Sequence, residues 1–385
     1  MAHASSTSAV AIAPSARDHR VDFFRGLALL FIFIDHVKEN TLQYITMQNF
    51  GFADAAEVFV ALAGYASFLA YTRVFERQGW WAGLLKVAHR ISKLYLAHTL
   101  FLVVCVAVLI AATLVFDNPI YETVLNLEPF FEEPVRALRK ALLLEHQPAM
   151  LDILPLYIVL LMWFPVLLVL MRVHVLVALA VSVSLWLGAN LRGWNLPTYP
   201  ENEGWFFNPF AWQLLFSLGV FAAFYASKRA LPRPSLWLVL PAVGFAVFAL
   251  LVTAPWTALP QLDEMTLIPT EQLVGEQGKQ YLSLWRVAHL IVLAYLVSSL
   301  IPASAGWLAS PLARRIVDCG RHSLPVFCLG TALSMAGNLA MAKYGEGWTV
   351  QIGVNLVGIV LLLLTGWTLA WLARSHERAL PSRQG

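Results

Sequence analysis

The sequence predicts an all-α protein, a polytopic transmembrane helix bundle of about ten spans with both termini cytoplasmic, and three observations predict it. Hydrophobic residues fill 59% of the 385 positions and charged residues only 13%, at a mean hydropathy of +0.67. A soluble globule of that composition would leave large apolar areas in water. The apolar residues also gather into windows of about 17 to 25, the length that crosses a hydrocarbon core. Finally, lysine and arginine concentrate on alternate connections, as the positive-inside rule requires. The net charge of +3 leaves no footprint for nucleic acid.

Taken in order, residues 1–20 are small, polar and Pro-containing without an apolar core, which predicts a disordered cytoplasmic tail and no signal peptide. Residues 21–373 read as the integral membrane domain and 374–385 as a second cytoplasmic tail. Spans are expected near 21–40, 55–72, 94–115, 151–171, 173–190, 209–227, 236–253, 284–301, 324–343 and 349–372. This arrangement puts Arg73, Arg77, Lys86, Arg90, Lys93, Arg172, Lys228, Arg314, Arg315 and Arg321 on the side of the termini. Lys38, Arg136, Arg139, Lys140, Arg192, Lys279 and Lys343 fall on the other side. The outer loop at 116–150 is acidic and should carry a short amphipathic surface helix around Pro134 to Leu144. The outer loop at 191–208 interleaves Trp194, Tyr199, Trp205, Phe206 and Phe207 with Asn and Glu. Such rings either stack on sugars, which makes Trp205 a candidate substrate residue, or form an interfacial belt. Cys105, Cys319 and Cys328 have neither disulfide nor metal spacing, so no metal site is expected.

Against this background, charge inside the first span stands out. Val21 to His36 carries Arg25, Asp35 and His36, and a charged side chain at membrane depth costs at least ~2.5 kcal/mol, so such groups mark reaction or transport sites. At ~100° per residue, Arg25 and His36 return to within about 20° of one face, roughly 16 Å apart along the axis. His36 is the candidate general base, since a neutral imidazole takes a proton from a hydroxyl near neutral pH. Asp35 is a candidate partner, although adjacent helical residues point about 100° apart. Glu57, near the outer end of the second span, orients a hydroxyl or the imidazole, or else stabilises its helix N-terminus. Gly64 in the same span allows close packing. In the eighth span Arg286 and His289 share a face. Arg286 either grips an acidic substrate group or snorkels outward. His98 and Gln213 suit interhelical hydrogen bonds. The patch Lys86 to Lys93 suits donor phosphates or plain positive-inside anchoring. No phosphate-binding P-loop and no HExxH zinc pair occurs, which removes ATPase and zinc-hydrolase readings.

Arg25 with His36 eleven residues on resembles the Arg-x10-His motif of the membrane-bound acyltransferase-3 superfamily. Ala55 to Tyr65 is similar to its G-x-D-x-F-F-x-x-S-G-[FY] element, with Glu57 for Asp and Ala63 for Ser. RVDFFRGLALLFIFIDH, GFADAAEVFVALAGY and HQPAMLDILPLYIVLL more closely resemble the OpgC branch, succinyltransferases of osmoregulated periplasmic glucans. The resemblance implies an enzyme of the bacterial inner membrane that moves a succinyl group from cytosolic succinyl-CoA to a hydroxyl of a periplasmic β-glucan. It implies His36 as the base; the residues themselves add Asp35 and Glu57 as its candidate partners, and no bound cofactor is expected. Arg25 would line the donor channel, and Arg90 with Lys93 would meet the donor, Lys93 departing from the family's Arg-x-x-Arg. Apart from the resemblance, the residues themselves offer Arg286, His289 and Trp205 for the substrate. The rivals are a secondary transporter, using Asp35, His36, Glu57 and Arg286 as a proton or anion relay, and a carrier of lipid-linked sugar.

Overall fold

A computed structural model describes residues 18–116, 127–148, 150–228, 234–254, 270–275 and 277–379, and among them every regular element is helical. Most of the tail expected at 1–20, the loop segment 117–126 and the last six residues lie outside the described residues. We number the helices α1 His19–Asp35, α2 Ala55–Arg77, α3 Trp80–Phe116, α4 Glu128–Glu132, α5 Pro134–Leu142, α6 Ile153–Val173 and α7 Val175–Arg192. Then come α8 Pro209–Lys228, α9 Leu236–Thr253, α10 Thr270–Val274, α11 Leu284–Leu300, α12 Pro311–Arg321, α13 Ser323–Tyr344 and α14 Trp348–Ala379. Of the described helices, eight are long and apolar enough to cross a membrane: α2, α3, α6 to α9, α13 and α14. The other two expected spans are α1 and α11, each of 17 residues.

Local chemistry sets most boundaries. Asp18 caps α1 by accepting from the Arg20 N–H at 2.9 Å. At α2, Asp54 and Glu57 form a capping box, each side chain accepting from the other's end of the first turn. The helix α3 starts fourteen residues earlier than its apolar span, because nothing after Gly79 interrupts it and its charged residues are as helix-prone as its leucines. The expected amphipathic helix on the outer loop is α5. The expected membrane boundaries at 21 and 373 fall inside α1 and α14.

The core is built on α1 and α2, which pack together. On one flank α1 meets α12, α13 and α14; on the other α2 meets α3, α6 and α8. Two of these contacts bring backbones together at glycine pairs. A Cβ on Gly64 would lie 2.0 Å from the Phe216 carbonyl oxygen, and one on Gly219 1.9 Å from that of Ala61, so α2 and α8 approach only without side chains there. Between α1 and α12, a Cβ on Gly26 or Gly320 would come 2.0 Å from the Ile316 oxygen or 1.8 Å from the Asp22 oxygen. Gln213 of α8 donates to the Ser182 carbonyl of α7 at 2.7 Å, the expected interhelical bond. The His98 ring, also buried, finds no such partner among the described residues. Outward faces are apolar, with Leu100, Val103 and Val104 on α3 and Trp237 and Leu238 on α9 exposed. His19 and Arg374 line one cavity, so both ends of the described chain lie at the same end of the bundle.

Candidate active site

At the opposite end, α1 terminates at His36, and the side chains around it satisfy the carbonyls that a helix C-terminus leaves open. Ser334 donates to the Phe33 oxygen at 2.9 Å, and the fully buried Asn40 to that of Ile34 at 3.0 Å. Asn338 of α13 donates to the His36 oxygen at 3.0 Å and accepts from the Lys38 N–H at 2.8 Å. Asn40 is held in turn by Asn355 of α14, each amide donating to the other. The His36 backbone is therefore fixed from two helices.

The ring of His36 is fixed as well. Its Nδ1 lies 2.6 Å from the Ile32 carbonyl oxygen. A carbonyl only accepts, so Nδ1 carries the proton and Nε2 keeps its lone pair. The residue is solvent-exposed, and Nε2 makes no hydrogen bond among the described residues. The partial negative charge of the α1 C-terminus adjoins the ring, where an imidazolium would form, an effect worth roughly 0.3 to 1 kcal/mol.

Asp35 does not touch this ring. Its Oδ1 accepts from the Thr46 hydroxyl at 2.5 Å, as the angular step along a helix leads one to expect. Nor does Glu57, which is fully buried. Its Oε2 accepts from the Asp54 N–H at 2.9 Å, and its Oε1 from the Arg286 Nε at 2.5 Å. Arg286 Nη2 and Lys279 Nζ meet Asp54 Oδ2 at 3.1 and 2.6 Å. Burial pushes the Asp54 carboxyl up, but Lys279 and Arg286 outweigh it and hold the group below the usual carboxylate range. Burial likewise pushes Lys279 down, while Asp54 and Glu57 outweigh it and hold it above its ordinary value. Two carboxylates and two cations thus tie the start of α2 to that of α11 and to the turn before it, within electrostatic reach of Asp35 and His36. Asp152, at the start of α6, also feels Lys279.

The remaining candidates separate. His289, 1% exposed, accepts through Nδ1 from the Ala53 N–H at 3.1 Å and so braces the loop ahead of Asp54. Arg25 donates to the Ser323 hydroxyl at 2.8 Å and lies 5.9 Å from the centre of the Phe59 ring, on the wall below His36. Arg90 and Lys93 sit on α3, Arg90 near Tyr71. Trp205 is buried at 4% exposure, so its ring presents no face for a sugar; Trp194 and Phe206, at 48% and 49%, are the open rings of that loop. Sequence reasoning missed Asp54 and Lys279 as site residues. The spacing Asp54-x-x-Glu57, a capping-box signature, could have flagged the first. Among the described residues, no group of three His, Cys, Asp or Glu is placed to hold a metal ion.

Fold and site together define a polytopic helical membrane protein with a solvent-facing, hydrogen-bonded histidine beside a buried charge network. The OpgC protein family matches residues 17–374, and the chain belongs to that family. Membership makes it a glucan-modifying acyltransferase. No curated protein and no solved structure gives a significant match.

Proposed function

We propose that this chain transfers a succinyl group from cytosolic succinyl-CoA to a hydroxyl of a periplasmic β-glucan across the bacterial inner membrane, with His36 as general base. The observation that carries this is the His36 ring, its Nδ1 proton committed to the Ile32 carbonyl and its Nε2 open. Nε2 takes the proton of the glucan hydroxyl as that oxygen attacks the thioester carbonyl. The tetrahedral intermediate collapses, the C–S bond breaks, and the CoA thiolate recovers the proton from the imidazolium. Direct transfer is favoured because the one proton of the Thr46 hydroxyl is held between Asp35 and the Gln43 carbonyl, and so is not offered to His36.

Arg25, half-buried about 16 Å below on the same face, lines the route by which the thioester arrives. Asp54, Glu57 and Arg286 act as positioning residues that hold the outer end of α2. Arg286 spends Nε and Nη2 on the protein's own carboxylates, which counts against its gripping the substrate. Lys279 also pairs with Asp54, at 2.6 Å, but its side chain is 36% exposed and its ammonium has further donors, so the free succinyl carboxylate falls to it instead.

The test uses the purified protein in vesicles with succinyl-CoA and a β-glucan, scored by the mass of the glucan ester. Wild type should form ester, and His36→Ala should lower the rate roughly 10²- to 10⁴-fold. Folded wild-type protein that forms no ester while its vesicles take up solute would overturn the enzyme in favour of a transporter.

A further inference from the structure

The end of the bundle where the described chain begins and ends holds a cavity of about 670 Å³, within the range of small-molecule sites. Its wall is α12, a helix absent from the span pattern, with α14 and the start of α1. Arg314, Arg315, Arg321 and Arg374 line it, and Asp318 is the one carboxylate among the lining residues. Asp318 pairs loosely with two of them, Arg315 at 3.8 Å and Arg374 at 3.9 Å, and one carboxylate against four arginines leaves the lining cationic. Arg321 turns towards Asp22 at 3.4 Å, and Arg314 has no ion pair among the described residues. Arg314 and Arg315 are exposed, and they stand in the early turns of α12, where the helix dipole opposes cations but joins them in attracting an anion. An aromatic wall completes the cavity, with the Arg315 guanidinium 5.1 Å from the centre of the Trp367 ring.

We infer that this cavity binds the phosphate-bearing nucleotide end of the acyl donor, with the arginines on the phosphates and Trp367 beside the base, an inference that rests on the acyl-CoA reading above. The placement suits it. Ser323, which accepts from Arg25, stands two residues beyond the end of α12, and Gly26 and Gly320 let α1 press onto α12. A donor seated here would send its thioester arm up the Arg25 face towards His36, about 26 Å along α1 from His19. The patch around Arg90 and Lys93 lies on α3, outside this lining.

The experiment measures binding of CoA, adenosine 3′,5′-bisphosphate and pyrophosphate to the full chain in phosphatidylcholine nanodiscs, with and without phosphatidylglycerol. Arg314→Ala/Arg315→Ala should weaken CoA and the bisphosphate by roughly tenfold or more, with an unchanged thermal midpoint. Trp367→Ala should weaken the bisphosphate more than pyrophosphate. Arg90→Ala/Lys93→Ala tests, in the same assay, the α3 patch that the family resemblance sets against the donor. If that last variant abolishes CoA binding while the α12 variant keeps it, the inference fails and the acyl-CoA reading stands. If the α12 variant keeps CoA but loses a preference for phosphatidylglycerol, the cavity is a lipid site. If wild type binds neither CoA nor the bisphosphate, both readings fall.

Discussion

Replacing Glu57 and Arg286 singly and together tests whether the charge network positions α2. Glu57 is fully buried and the Arg286 side chain is 12% exposed, so water does little to screen them. Glu57→Gln leaves Arg286 and Lys279 facing Asp54 alone; Arg286→Gln leaves Asp54 and Glu57 facing Lys279 alone. Each single variant strands one buried charge, which costs about 3 to 5 kcal/mol. A pair at 4 Å with an effective dielectric of 20 gives about 4 kcal/mol, the same scale. The double variant leaves Asp54 against Lys279, one charge of each sign, and should fall short of the summed single losses by roughly 0.5 to 3 kcal/mol. The assay is equilibrium unfolding in mixed micelles titrated with sodium dodecyl sulfate, followed by circular dichroism. Losses that add without coupling would show that the two groups do not act as a pair, and the positioning role would go with it.

Other perturbations separate the remaining assignments. Asp35→Asn should keep ester formation within about tenfold of wild type, because Asp35 bonds Thr46 and not the His36 ring; a loss as deep as that of His36→Ala would reinstate it as the ring's partner. Gly64→Ala sets a Cβ 2.0 Å from the Phe216 oxygen and should cost about 1 to 3 kcal/mol in the same unfolding assay, more than Gly244→Ala, where a Cβ meets nothing within 4 Å. Equal costs would refute the close α2–α8 approach. Asp54 is held below its usual value of 3.8, so its charge contributes fully above that pH and is lost as acid takes the solution down through the lowered folded value. The stability gap between wild type and Asp54→Asn should therefore be constant from pH 7 to about 4 and narrow below; a constant gap to pH 2.5 would contradict it. Lys279→Gln should impair a succinyl donor more than an acetyl donor, in initial rates of ester formation.

How much of this was legible in the chain depends on the range of the interaction that made each part. The spans were legible because hydrophobic length is local: the expected windows at 209–227 and 236–253 are met by α8 at Pro209–Lys228 and α9 at Leu236–Thr253. The Arg25 to His36 face was legible for the same reason, being one helix read at its own period. By contrast α12 is short and carries three arginines, so a search for apolar length passes over it, although it packs on α1. Asp54 and Lys279 meet across 225 positions of sequence, where no periodicity speaks, and Lys279 looked like one more outer-loop cation. The orientation of the His36 ring was hidden for a subtler reason. Its two carboxylate candidates, Asp35 and Glu57, are conspicuous in the sequence, whereas the group that bonds it is the Ile32 backbone carbonyl, which every residue type carries. The ring of the proposed base is thus oriented by a carbonyl in the last turn of its own helix, one that also accepts the His36 N–H, and both carboxylates are left to the scaffold around it.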